Sequence, residues 1–131
     1  KKKFGRIINI TSGAVKSPIA ILGLSNGARM GLTGFCAGIA RETVRDGVTI
    51  NGLLPGPFDT DRLRGNLQVR ADTVGKTYEE MYSSAASENP AGRFGTAEEF
   101  GKTCAFLCSI HAGYINGQNI LMDGGAFRSS L

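Results

Sequence analysis

Three short apolar runs alternate with stretches of helical spacing along this chain, and that alternation limits the possible fold more than any single motif. RIINIT (6–11) is a β-branched run closed by Ser12 and Gly13. VTINGLL (48–54) is stopped by Pro-Gly-Pro, and QNILMD (118–123) by Gly124 and Gly125. Each reads as a strand, the first of them buried. From Ser25 or Asn26 to about Arg45 the pattern is helical, with those two residues as N-cap candidates and Arg-Asp-Gly supplying a basic last turn and a glycine stop. TAEEFGKTCAFLCS (96–109) opens with a threonine cap and two acidic residues, then runs apolar at helical spacing. Residues 59–88 are polar and loosely helical, as two short helices forming a lid would be. Strand, helix, strand, helix, strand implies right-handed crossovers and a parallel sheet. At 131 residues the chain is a single α/β domain.

The first helix carries an unusual stripe. Gly27, Gly31, Gly34 and Gly38 fall on one face, and each glycine in a helix interior costs about 1 kcal/mol against alanine. Such a face implies close backbone packing, against either the sheet or a partner helix. Arg29, Arg41 and Glu42 on the same helix exclude a membrane dimer. No run approaches the ~18 apolar residues of a bilayer span. The net charge is +4, but three positives are the opening Lys1, Lys2 and Lys3, with no interleaved aromatic residues to suggest nucleic-acid binding. No secretory signal is evident, so a cytoplasmic location is expected. Cys36, Cys104 and Cys108 form no CxxC pair and there is one histidine, so no metal site is expected and the thiols read as free and buried.

Five segments, in order, resemble the C-terminal half of a short-chain dehydrogenase/reductase: GRIINITS, GLTGFCAGIARE, GVTINGLLPGPFDT, NPAGRFGTAEEF and YINGQNILMDGG. The resemblance covers nearly the whole chain. It implies the second half of a Rossmann-like, doubly wound parallel sheet, of which about three strands are present. It also implies hydride transfer between NAD or NADP and a small carbonyl or alcohol substrate, and a homo-oligomer. The family's phosphate-binding Gly-x-x-x-Gly-x-Gly turn occurs nowhere in the 131 residues, which suggests a chain that starts about halfway through the fold. That turn seats the pyrophosphate on a helix N-terminus, so a dinucleotide would lack its main anchor.

Counting back from GLTGF places Ser25 at the family's catalytic tyrosine and Arg29 at its lysine, while Ser12 stands at its serine. Tyrosine has an ordinary pKa of ~10, within reach of tuning by a neighbouring cation. A serine hydroxyl is a far weaker acid, so Ser25 would act through a bound water or serve only as an N-cap. Arg29 keeps a cation for ribose or phosphate but cannot release a proton; a surface helix charge is its plain alternative. Ser12 either polarises the substrate carbonyl or caps a turn. By resemblance, Pro55, Gly56 and Phe58 shape the turn beside the nicotinamide, and Thr60 contacts its carboxamide or phosphate unless it only caps the next helix. Tyr78 or Tyr82 could stand in as the acid, or simply pack the lid.

Two other functions remain open. One is a non-catalytic binding or self-associating protein, using the glycine-striped helix 26–45 or an exposed strand 6–11 as its contact. The other is a serine-dependent ester hydrolase. Its only candidate base, His111, enters the last strand while Ser12 leaves the first, so the two are expected ~15 Å or more apart at opposite sheet edges.

Overall fold

The computed structural model describes residues 3–129. Three parallel strands, β1 (Gly5–Ile10), β2 (Val48–Pro55) and β3 (Asn119–Met122), lie in the order β1-β2-β3. Gly5 pairs with Val48 through to Ile10 with Leu53, and Gly52 with Asn119 through to Pro55 with Met122. Helix α1 (Gly23–Thr43) connects β1 to β2, and α2 (Asp61–Val74), α3 (Tyr78–Ser87) and α4 (Ala97–Cys108) lie between β2 and β3. The chain is therefore α/β with a Rossmann-like parallel sheet.

Side chains alternate across the strands, which gives each helix its own face of the sheet. Helix α4 buries Leu107 against Leu53, with Ile8, Ile120 and Met122 beside them. Helix α1 lies over the other face, where Asn9, Ile50, Gly52 and Asn119 meet Thr33 and Cys36. β2, the middle strand, is buried from Thr49 to Leu54. Its Asn51 is satisfied by the entrance to β3, donating to Ile115 O and accepting from Gln118 N–H. A second core joins α2 to α3: Leu67, Ala71, Met81, Ala86 and Phe94. The capping box at Thr96 and Glu99 starts α4 as its sequence foretells, and Thr77 with Glu80 starts α3 in the same way.

Four expectations need correction. The N-cap of α1 is Leu22, not Ser25 or Asn26. A 3-10 turn at Ala20–Leu22 runs directly into the helix, and Asn26 ties it down by donating to Ile19 O. The first strand is not buried: Ile7 is 46% and Ile10 61% exposed, because β1 is the edge of the described sheet. The cysteines are free but not buried, with Cys108 exposed and Cys36 and Cys104 partly so. Finally, the glycine stripe does not pack on the sheet. A Cβ added at Gly27, Gly31, Gly34 or Gly38 would meet nothing within 4 Å. The helix turns Asn26, Arg29, Thr33, Cys36 and Ala40 inward and leaves Leu24 and Phe35 outside.

Candidate functional site

In open parallel sheets ligands bind beyond the carboxyl ends of the strands. Here those ends are Ile10 to Gly13, Pro55 to Gly56, and Met122 to Gly125. They border a cleft of about 670 Å³, lined by Ser12, Pro55, Gly56, Leu121, Phe127 and Arg128 among others, a size usual for small-molecule sites (~300–1,000 Å³). Ser25 and Arg29 lie outside it, in a neighbouring cleft of about 380 Å³ with Ile10, Thr11, Ala28 and Leu32. Consecutive residues at the end of β1 line the two clefts, Thr11 one and Ser12 the other.

Ser12 is held in extended backbone and caps the 3-10 turn Gly13–Val15, its Oγ accepting the Ala14 N–H at 3.1 Å. That bond uses a lone pair, so the hydroxyl proton stays available to donate. Arg29 folds back on its own helix, donating to Ser25 O at 3.3 Å. Thr11 Oγ1 beside them is buried, with no hydrogen-bond partner among the described residues.

The Pro55–Gly56 turn is clamped to β3. Gly56 N–H donates to Met122 O at 2.8 Å, and a Cβ at Gly56 would sit 2.5 Å from Asp123 Cβ. Asp123 closes the far side: its two carboxylate oxygens accept the N–H groups of Gly125 (2.9 Å) and Phe127 (2.7 Å). Its own carbonyl accepts from buried Asn89, in the connection from α3 to α4.

The remaining candidates fall elsewhere. Phe58 stacks edge-on against Phe100 at 5.3 Å, crowds Gly95, and lines a separate cleft of about 340 Å³. Thr60 is exposed and caps α2 by accepting from Leu63 N–H. Tyr82 is packed between Phe94 and Tyr78. Burial and the adjoining Asp59 push its phenol pKa up, away from a proton donor's range. His111 sits at the amino end of the sheet, its loop held by Arg6 Nε donating to Ser109 O, while Ser12 is at the carboxyl end. No serine–histidine pair forms. Among the described residues no group of metal-ligating side chains occurs, and no helix is long and apolar enough to cross a membrane.

Sequence reasoning missed Asp123, Phe127 and Arg128 as cleft residues. Their signal was positional: Asp123 directly follows β3 and Phe127 and Arg128 follow its Gly124–Gly125 turn, at the strand ends beside Ser12.

A family model described as enoyl-(acyl carrier protein) reductase matches residues 1–126. The 3-oxoacyl-[acyl-carrier-protein] reductase FabG of Haemophilus influenzae is 37% identical over 131 residues, covering 98% of this chain and 49% of the relative. The Escherichia coli K12 protein of the same name is 34% identical over 129 residues, 97% of this chain and 48% of its own. Among solved structures, YwfH, an NADPH-dependent reductase involved in bacilysin biosynthesis, superposes with a TM-score of 0.82 at 35% identity, over 97% of this chain and 48% of that one. An actinorhodin polyketide ketoreductase with NADPH gives 0.83 at 25% identity, over 95% and 48%. The chain thus spans about half the length of the curated relatives it matches.

Proposed function

From the premise that this chain belongs to the short-chain dehydrogenase/reductase family, we propose that it forms the carbonyl-handling part of an NAD(P)-dependent oxidoreductase. The observation that carries this reading is the convergence of Ser12, Pro55 and Gly56 on one cleft at the strand ends, with Ser25 and Arg29 next to it. The residues fit the nicotinamide end of a dinucleotide: a cleft of adequate volume, a hydroxyl oriented by its turn, and a rigid Pro-Gly wall clamped to β3. They offer no glycine-rich turn for the pyrophosphate. A bound nicotinamide cofactor supplies a hydride to the carbonyl carbon, and the carbonyl oxygen takes up a proton to give the alcohol and the oxidised cofactor.

Ser12 holds the carbonyl oxygen in position by a hydrogen bond from its hydroxyl and keeps its own proton, since the Ala14 bond holds Oγ in place. Pro55 and Gly56 flank the reacting face. Ser25 and Arg29 hold a water that delivers the proton, and Arg29 also contacts ribose or phosphate with the guanidinium donors left over from Ser25 O. Phe58, wedged against Phe100, props the turn. Thr60 keeps its hydroxyl proton for the carboxamide or phosphate while capping α2. The substrate we propose is a small carbonyl or alcohol compound, and residues 59–88 are its lid. The free thiols suit a cytoplasmic location.

The test is NADPH consumption by the intact protein with a 3-oxoacyl thioester. Ser12→Ala and Arg29→Met should each lower kcat/KM by about 100-fold. No turnover of any carbonyl, or full activity in Ser12→Ala, would overturn the assignment.

A second role, self-association, is favoured by α1. Leu24 is 95% and Phe35 69% exposed beside the open glycine stripe, so we propose that a second copy covers this helix or the strand edge at residues 6–11. An ester hydrolase gains nothing from the geometry, because His111 lies at the opposite end of the sheet from Ser12.

A further inference from the structure

The wall of the Ser12 cleft formed by the chain after β3 has a definite chemistry. Ile19, Leu121 and Phe127 supply an apolar surface, and Arg128 lines the same space. Lys16, one turn beyond Ser12, carries its ammonium over the Phe127 ring at 6.0 Å, the outer limit of a cation–π contact. Neither Lys16 nor Arg128 has a carboxylate at ion-pair distance among the described residues. The one acidic side chain of the cleft, Asp123, has both oxygens engaged by Gly125 and Phe127 N–H groups. Those bonds pin Phe127 and hold the Asp123 carboxylate, which keeps its charge, out of ion-pair distance of both cations among the described residues. Arg29 adds a third positive charge in the adjoining cleft.

We infer that this cleft selects a carbonyl substrate with an apolar body and an anionic end, the body lying on Ile19, Leu121 and Phe127 and the anion held by Lys16 and Arg128. The inference rests on the reductase reading above and names its substrate class. A carboxylate and a phosphate ester share the chemistry these cations recognise. A guanidinium at the cleft wall can grip either through two donors, and the ammonium adds a point charge.

The test compares the intact protein with Lys16→Met, Arg128→Met and Arg128→Lys on three substrates: a 3-oxo acid, its methyl ester, and its phosphopantetheine thioester. In Arg128→Met, kcat/KM should fall about tenfold for an anionic substrate, while the ester changes less than about twofold. Arg128→Lys should recover most of the loss, and Lys16→Met should lose about threefold. A fall for the free acid assigns the carboxylate, and a fall for the thioester assigns the phosphate. Equal losses on the ester, or no loss on either anion, overturn the inference. Binding of glutarate against glutaramide, by calorimetry, decides the matter without turnover. Tighter binding of glutarate that weakens about tenfold in Arg128→Met supports the anion site even if no carbonyl is reduced. Equal binding of the two ligands, or no binding, removes it.

Discussion

Gly56→Ala isolates how tightly the cleft is built. The new methyl would lie 2.5 Å from Asp123 Cβ, 2.8 Å from Asp123 Cα and 3.3 Å from Met122 O. Carbon atoms rest at about 3.5–4.0 Å, so the ends of β2 and β3 must part by roughly 1 Å. The neighbour that must move includes backbone, and no rotamer change relieves it. A shift of that size stretches the 2.8 Å bond from Gly56 N–H to Met122 O beyond useful length. Overpacking costs about 1–3 kcal/mol and the lost bond about 1 kcal/mol, giving a total of roughly 2–4 kcal/mol. For a domain of this size that lowers Tm by roughly 6–20 °C. Gly65→Ala is the matched control. It adds the same methyl inside α2, where nothing lies within 4 Å, and should stabilise by about 0.5–1 kcal/mol. Thermal melts of the two variants should therefore move in opposite directions. A Gly56→Ala protein melting within about 2 °C of the parent would refute the clamped turn.

Three further outcomes follow from the same geometry. Leu53→Ala, at a fully buried position in the α4 core, should cost about 2–5 kcal/mol, read as a lower urea midpoint at unchanged slope. Glu99 is held at a pKa of about 2 by the Arg93 guanidinium first and the Thr96 N–H next, below its ordinary 4.5. The stability it adds is present above 4.5 and is lost as pH falls toward 2, so the Tm gap between the parent and Glu99→Gln should close across that window. Gly34→Ala on the open face of α1 should raise the melting temperature of the dilute single subunit by about 3 °C. If a second copy covers that face, sedimentation should show weaker association as well; unchanged association would remove α1 as the contact.

The elements were largely legible because each run carries its own punctuation. Thr96 with Glu99 announces α4, and the Pro-Gly and Gly-Gly pairs close β2 and β3. The start of α1 was misread because Ser25 and Asn26 have capping chemistry, yet a 3-10 turn upstream already winds into the helix. The apolar content of RIINIT does not by itself reveal that, among the described residues, β1 stands at the edge of the sheet. The positions of Ser12, Pro55 and Gly56 at the strand ends were readable because strand ends and turns are local features. The separation of Ser25 and Arg29 into an adjoining cleft was not. It depends on where α1 sits over β1, which sequence spacing does not encode. Phe127 and Arg128 went unnoticed because a short tail after a glycine pair has no pattern of its own, and only the fold of Asp123 onto its N–H groups gives it a place.

Asn89 reaches across from the α3–α4 connection to Asp123, whose carboxylate in turn anchors Phe127. The wall of the Ser12 cleft and the end of the helical segment above it are thereby gauged from one point. A substitution at Asn89, a residue that does not line the Ser12 cleft, would leave Ser12 in place while shifting Phe127. The shape of the Ser12 cleft can accordingly be retuned from outside it, with Ser12 left untouched.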